Sequence, residues 1–121
     1  MRHHIGTDIV EIERIRLAIE RWGERFLKRV YTEAELTIYG HRTHSLAASF
    51  ASKEAVMKLL GTGARGVAWR EIETLYHPSG KPLIKLNGRA KKVAEKLGIK
   101  EIDVSLAHSR DYATATAIGT T

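Results

Sequence analysis

The chain has 121 residues, 43% of them hydrophobic and 28% charged, the composition of one ordinary globular domain (1–121) with enough chain to bury a core. It has no cysteine, which excludes disulfides and Cys-based zinc sites. No run approaches the roughly 18 apolar residues of a membrane span, and Met-Arg-His-His-Ile-Gly carries no signal-peptide core, so a cytoplasmic protein bound to no membrane is expected. The net charge of +6 favours an anionic partner: nucleic acid, a phosphorylated small molecule or an acidic protein. The basic residues are interleaved with glutamates, however, which argues against non-specific nucleic-acid binding.

In chain order, His3 to Val10 reads as a strand ending at or just after Asp8. Ile12, Ile15, Ile19 and Trp22 then recur at helical spacing, with Gly23 as the interruption. Thr32-Glu-Ala-Glu35 has the capping-box form that starts a second helix. A third helix runs from about Leu46 to Leu60 and is closed by Gly61. Beyond it the period changes. Arg70 to His77 alternates as a strand, His77-Pro-Ser-Gly80 is a turn, and Lys81 to Leu86 returns as a second strand with Pro82 at its start, where a missing N–H is tolerated. A helix follows from Asn87 or Gly88 to Gly98, with Ala90, Val93, Ala94 and Leu97 on one face. Two further alternating strands cover Glu101 to His108 and Tyr112 to Gly119. The order β-α-α-α-β-β-α-β-β, with its hairpins, predicts an α+β fold with a mainly antiparallel sheet packed on helices.

The third helix raises a question of charge. With each residue advancing about 100° and Phe50 at zero, Glu54 falls near 40° and Lys58 near 80°. Ala47 and Ala51 sit one turn earlier, and Leu46, Val56, Met57, Leu59 and Leu60 cover much of the rest. Lys53 lies about 140° around from Lys58, on the side of Leu46 and Leu60. Glu54 and Lys58 form an i, i+4 pair in the favourable orientation. Such a pair is either a solvated bridge worth about 0.3–0.5 kcal/mol, or a carboxylate for a hard cation beside an ammonium for phosphate oxygens. Asp8 is the candidate second carboxylate, with N-capping of the next helix as its competing role; Gly6 before it permits close backbone approach. His108, at the end of a strand, is open between a structural and a chemical role. The other histidines show no metal-ligand spacing. Gly61 to Gly66 follows a helix instead of preceding one, so it is no P-loop, although its glycines could approach an anion. Arg14, Arg21 and Arg25 form one basic edge if the first helix survives Gly23. That edge is either a solvated face or a dock for an acidic helix.

Together, "GTDIVEIERI" (6–15), "FASKEAVMKLLGTG" (50–63), "GKP" (80–82) and "VSLAHSRDYATATA" (104–117) resemble the holo-acyl-carrier-protein synthase family, the small bacterial 4′-phosphopantetheinyl transferases. The resemblance runs end to end. It implies Mg²⁺-dependent transfer of phosphopantetheine from coenzyme A to a serine of apo-acyl carrier protein, for fatty acid biosynthesis, by a homotrimer with active sites between subunits. It implies Asp8 and Glu54 as metal ligands, Lys58 and His108 beside the coenzyme A phosphates, and Gly63, Lys81, Pro82 and Ser109 near the cofactor substrate. It also implies Arg14, and more loosely Arg21 and Arg25, as carrier-protein contacts. Glu54, directly or through water, or else His108, takes the serine proton. One departure stands out: Ser49 replaces an arginine that many relatives have, a cation expected to meet a phosphate, with Arg42 or Arg65 as possible replacements. The competing readings are a non-catalytic basic module for an acidic protein and a regulator that holds coenzyme A without transfer.

Overall fold

The structure, a computed structural model, describes residues 2–121. A long strand β1 (His3–Glu11) leads into helices α1 (Ile12–Trp22), α2 (Glu24–Val30), α3 (Glu33–Tyr39), α4 (Thr43–Leu60) and the short α5 (Gly63–Gly66). A 3₁₀ turn (Trp69–Glu71) precedes the hairpin β2 (Ile72–Tyr76) and β3 (Pro82–Leu86). Helix α6 (Gly88–Lys96) and the hairpin β4 (Glu101–His108) and β5 (Tyr112–Thr120) complete the chain. The fold is α+β as expected, but five helices, not three, stand before the first hairpin.

The differences have identifiable causes. Gly23 takes φ +54° and ψ −130°, a conformation that a side chain disfavours, and it ends α1 outright. Arg14 and Arg21 therefore belong to one helix and Arg25 to the next. β1 runs three residues past Asp8 because β5 pairs with it throughout, from His3 opposite Thr120 to Glu11 opposite Tyr112. Asp8 is consequently not an N-cap: Glu11 holds that position, and its side chain makes no capping bond. The capping box at Thr32 forms as predicted, with Thr32 accepting from the Glu35 backbone and Glu35 from that of Thr32. Gly61 closes α4 in the left-handed conformation.

The strands make a three-stranded antiparallel sheet in the order β1-β5-β4 and a separate hairpin β2-β3. Helix α4 lies across the inner face of the larger sheet, and 13 of its 18 residues are buried. Full burial of a side chain such as Leu46 or Val56 contributes about 1.5–3 kcal/mol. The close fit depends on small residues. Ala113, Ala115 and Ala117 of β5 are buried and share a face with Gly6, Asp8 and Val10 of β1. A Cβ built on Gly6 would lie 1.8 Å from the Ala55 carbonyl oxygen, so glycine is what lets β1 touch the α4 backbone. The opposite face of the sheet carries Ile5, Ile9, Tyr112 and Ile118, each at least 40% exposed.

Candidate active site

Gly6 brings β1 against α4 and so delivers Asp8 to Glu54 and Lys58. The Lys58 ammonium donates to Asp8 Oδ1 at 3.1 Å and to the Thr7 carbonyl at 2.9 Å. This corrects the helix-surface reading. Lys58 does not bridge to Glu54 on its own helix; it reaches across to the strand, because the Asp8 side chain is only 10% exposed and a charge so shielded from water draws its partner strongly. Glu54 is half-buried. Burial, followed by the charge of Asp8, raises its pKa above the ordinary 4.5, while Arg14 and Lys58 pull it back. Two carboxylates are thus pressed together, with one lysine bonded to Asp8 and an arginine nearby. That donor set fits a small hard divalent cation held by one or two carboxylates, whose remaining ligands are waters and substrate phosphates. Among the described residues no group of three or more His, Cys, Asp or Glu side chains gathers, so an all-protein cage is not what this site offers.

The other predicted residues stand elsewhere. His108 and Pro82 line a cleft of about 360 Å³ together with Gly80, Tyr76, Ser105 and His44. His44, for which the sequence suggested no role, lines the same cleft, and its ring lies 5.6 Å from that of His108, edge to face. Nothing in its spacing reveals this, because α4 and β4 meet only through folding. Lys81 sits at the adjoining turn with its ammonium 3.5 Å from Asp103. Ser109 shapes the β4–β5 turn, accepting from the Tyr112 backbone at 3.2 Å. Gly63, at φ +59°, opens α5 just beyond the Lys58 end of α4.

The chain therefore holds two clusters, not one pocket. Asp8 is on β1 and His108 on β4, with β5 between them. His44 and Glu54 are ten positions apart on α4, about 15 Å along the axis. The cleft at His108 includes none of Asp8, Glu54 and Lys58.

Position 49 lies inside the core. Ser49 is fully buried, and its hydroxyl donates to Glu35 at 3.2 Å. Arg42 does not replace the expected arginine: its guanidinium donates to the Tyr39 and Ile38 carbonyls and closes α3. Arg65 is exposed on α5. The cation facing Glu35 is Lys53, which is fully buried with it, N to O at 2.7 Å. The basic edge is likewise reshaped by the break at Gly23. Arg21 and Arg25 lie over the half-exposed Trp22 ring, 4.9 and 6.0 Å from its centre, and Arg16 is tied to Glu13 and Glu20.

Residues 4–117 match the model of the 4′-phosphopantetheinyl transferase superfamily. Over 118 residues, 94% of this chain and 89% of the relative, the sequence is 51% identical to holo-[acyl-carrier-protein] synthase of Gloeobacter violaceus. The fold superposes on the Helicobacter pylori holo-[acyl-carrier-protein] synthase solved with coenzyme A, with a TM-score of 0.88 at 30% identity over 96% of this chain and 99% of that one. The Neisseria meningitidis enzyme gives 0.90 at 34% identity over 98% of each chain. With the carboxylate pair, its lysine and the strand-end histidine all present in this frame, the chain belongs to the 4′-phosphopantetheinyl transferase superfamily.

Proposed function

We propose that this protein transfers the 4′-phosphopantetheine group of coenzyme A to a serine of an apo-acyl carrier protein, releasing adenosine 3′,5′-bisphosphate. The observation that carries the reading is the cluster of Asp8, Lys58 and Glu54, built from two elements that only Gly6 allows to touch. Kinship to holo-acyl-carrier-protein synthases at about half identity supports it.

In the reaction the serine oxygen bonds to the β-phosphorus, the phosphoanhydride bond to the nucleotide breaks, and negative charge moves onto the leaving bisphosphate. Asp8 and Glu54 would hold Mg²⁺, which supplies charge neutralisation at the pyrophosphate. Lys58 has an exposed ammonium beside those carboxylates and stabilises the same developing charge. Glu54, whose pKa is raised, is suited to accept the serine proton. Arg14, close enough to act on Glu54, borders the entry from the carrier side, with Arg21, Arg25 and Trp22 beyond it.

The second cluster completes the site from another subunit. His108, His44 and Pro82 of one chain face Asp8, Glu54 and Lys58 of the next in a homotrimer. Two observations support this assembly: the separation of the clusters within one chain, and the exposed apolar outer face of the sheet at Ile5, Ile9, Tyr112 and Ile118. The enzyme works in the cytoplasm; among the described residues no helix is long and apolar enough to cross a membrane.

Mass spectrometry of an apo-carrier protein incubated with coenzyme A, Mg²⁺ and this protein tests the reading. Gain of one phosphopantetheine on the serine supports it. Binding of the carrier with no mass gain leaves the non-catalytic module instead.

A further inference from the structure

Helix α4 holds both Glu54 and Lys58, and apart from its seat against Gly6 its apolar pattern does little to fix how it is turned. It is apolar nearly all round, and alanines at 47, 48, 51 and 55 make much of that surface smooth and buried. A helix with one apolar stripe is oriented by that stripe; a helix buried on all sides is not. Apart from the exposed Lys58 ammonium, which donates to Asp8 and Thr7, the side-chain hydrogen bonds of α4 are concentrated on one buried flank. Lys53 spends its three N–H donors on Glu35 Oε1 at 2.7 Å, the Trp69 carbonyl at 3.1 Å and the Ile72 carbonyl. Glu35 in turn accepts from Ser49 at 3.2 Å, the Thr74 backbone at 2.9 Å and the Thr32 backbone at 3.0 Å. Ser52 accepts from the Thr74 hydroxyl at 3.0 Å. Ser49, Ser52 and Lys53 span about 100° of the helix circumference, and Glu35, Ser49, Ser52 and Lys53 are all fully buried.

We infer that the Glu35–Lys53 pair, with Ser49 and Ser52, is a rotational key that sets α4 so that Glu54 and Lys58 face Asp8. Glu35 and Lys53 are thus positioning residues for the transfer reaction. Buried polar groups are best known for this kind of register control, more than for stability. The leverage is large. Side-chain tips lie roughly 6 Å from a helix axis, so a turn of about 10° displaces them on the order of 1 Å. A misplacement of that size costs on the order of 10²-fold in rate. Ser49 fits the same scheme: a small hydroxyl leaves Glu35 to Lys53.

The inference rests on the proposed function and is tested with the double variant Glu35→Gln/Lys53→Met, which removes both charges and keeps an amide at the capping box. The measurements are melting temperature, kcat for phosphopantetheine transfer, KM for both substrates, and Mn²⁺ affinity by electron paramagnetic resonance. A melting temperature near that of the native chain is expected, with unchanged KM values, kcat lower on the order of 10²-fold and Mn²⁺ affinity weaker by about 10–100-fold. A folded variant in which kcat or Mn²⁺ affinity is unchanged overturns the inference. Should this variant not fold, Ser49→Ala/Ser52→Ala removes two ties and no charge; it is expected to lose kcat and Mn²⁺ affinity together, and retention of both overturns the inference equally. If the native chain binds Mn²⁺ but transfers nothing, the proposed function falls while the Mn²⁺ arm still decides the key. If the native chain binds no Mn²⁺, the key falls with the metal assignment.

Discussion

Replacing Gly6 by alanine tests whether the closeness of β1 and α4 makes the site. The new methyl carbon would start 1.8 Å from the Ala55 carbonyl oxygen, 2.8 Å from the Leu59 nitrogen and 2.9 Å from the Ala55 carbonyl carbon. All three are backbone atoms of α4, so no rotamer change relieves them. Contacts under 3.0 Å essentially do not occur, so strand and helix must part by about 1.2 Å along the worst contact, and the alanines of β5 lose part of their fit as well. Overpacking of this kind costs about 1–3 kcal/mol or more. At roughly 4 °C per kcal/mol for a domain of this size, the melting temperature should fall by about 4–12 °C. Asp8 lies two residues further along the same face, so it moves away from Glu54 by a similar distance, and kcat should fall on the order of 10²-fold. Gly119→Ala is the internal control. Its Cβ meets only side-chain atoms, Leu59 Cδ1 at 3.1 Å and Ile99 Cγ2 at 3.2 Å, which can yield. The assay is thermal unfolding beside carrier-protein modification for both variants. A Gly6→Ala protein that melts and turns over like the native chain, or no worse than Gly119→Ala, would refute the reasoning.

Three further outcomes are expected. Lys58→Ala should lose on the order of 10²–10³ in kcat, as for a missing oxyanion donor, with the fold left intact, whereas Lys53→Ala should lose about 3–5 kcal/mol of stability because it strands Glu35 as an uncompensated buried charge, with rate lost as well; unfolding measured beside rate separates the two by stability, and small effects on both would reject both roles. The raised pKa of Glu54 means that its protonated form favours the fold: its contribution is fully present below the ordinary value of 4.5 and is lost as pH rises through the raised one. Metal-free melting curves should therefore show a fall with pH above 4.5 that Glu54→Gln lacks and Mg²⁺ opposes, and a pH trend identical in the native chain and the variant would count against the carboxylate pair. Ile9→Asp, on the exposed outer face of the sheet, should yield monomers by light scattering together with lost activity; an active monomer would dismiss the shared site.

Much of this protein is legible in its residues because the relevant physics is local. Alternation in 101–119, the capping box at Thr32, the turn before Pro82 and the glycines that stop helices all depend on neighbours within a few positions. They predicted the five strands and the main helices in their order, though not the short α2 and α5, and the spacing of the charges on α4 singled out Glu54 and Lys58. What the residues could not settle was partnership across elements. Lys58 pairs with Asp8 and not with Glu54, because the shielded strand carboxylate outcompetes a half-exposed one on the same helix. Lys53, one position from Glu54, turns into the core to meet Glu35, an acid 18 residues away in sequence. Ser49 donates to that same acid. His44 joins His108 only because α4 and β4 end at the same cleft. Each of these outcomes depends on burial, which sets how strongly one charge draws another, and burial exists only once helix and sheet have packed.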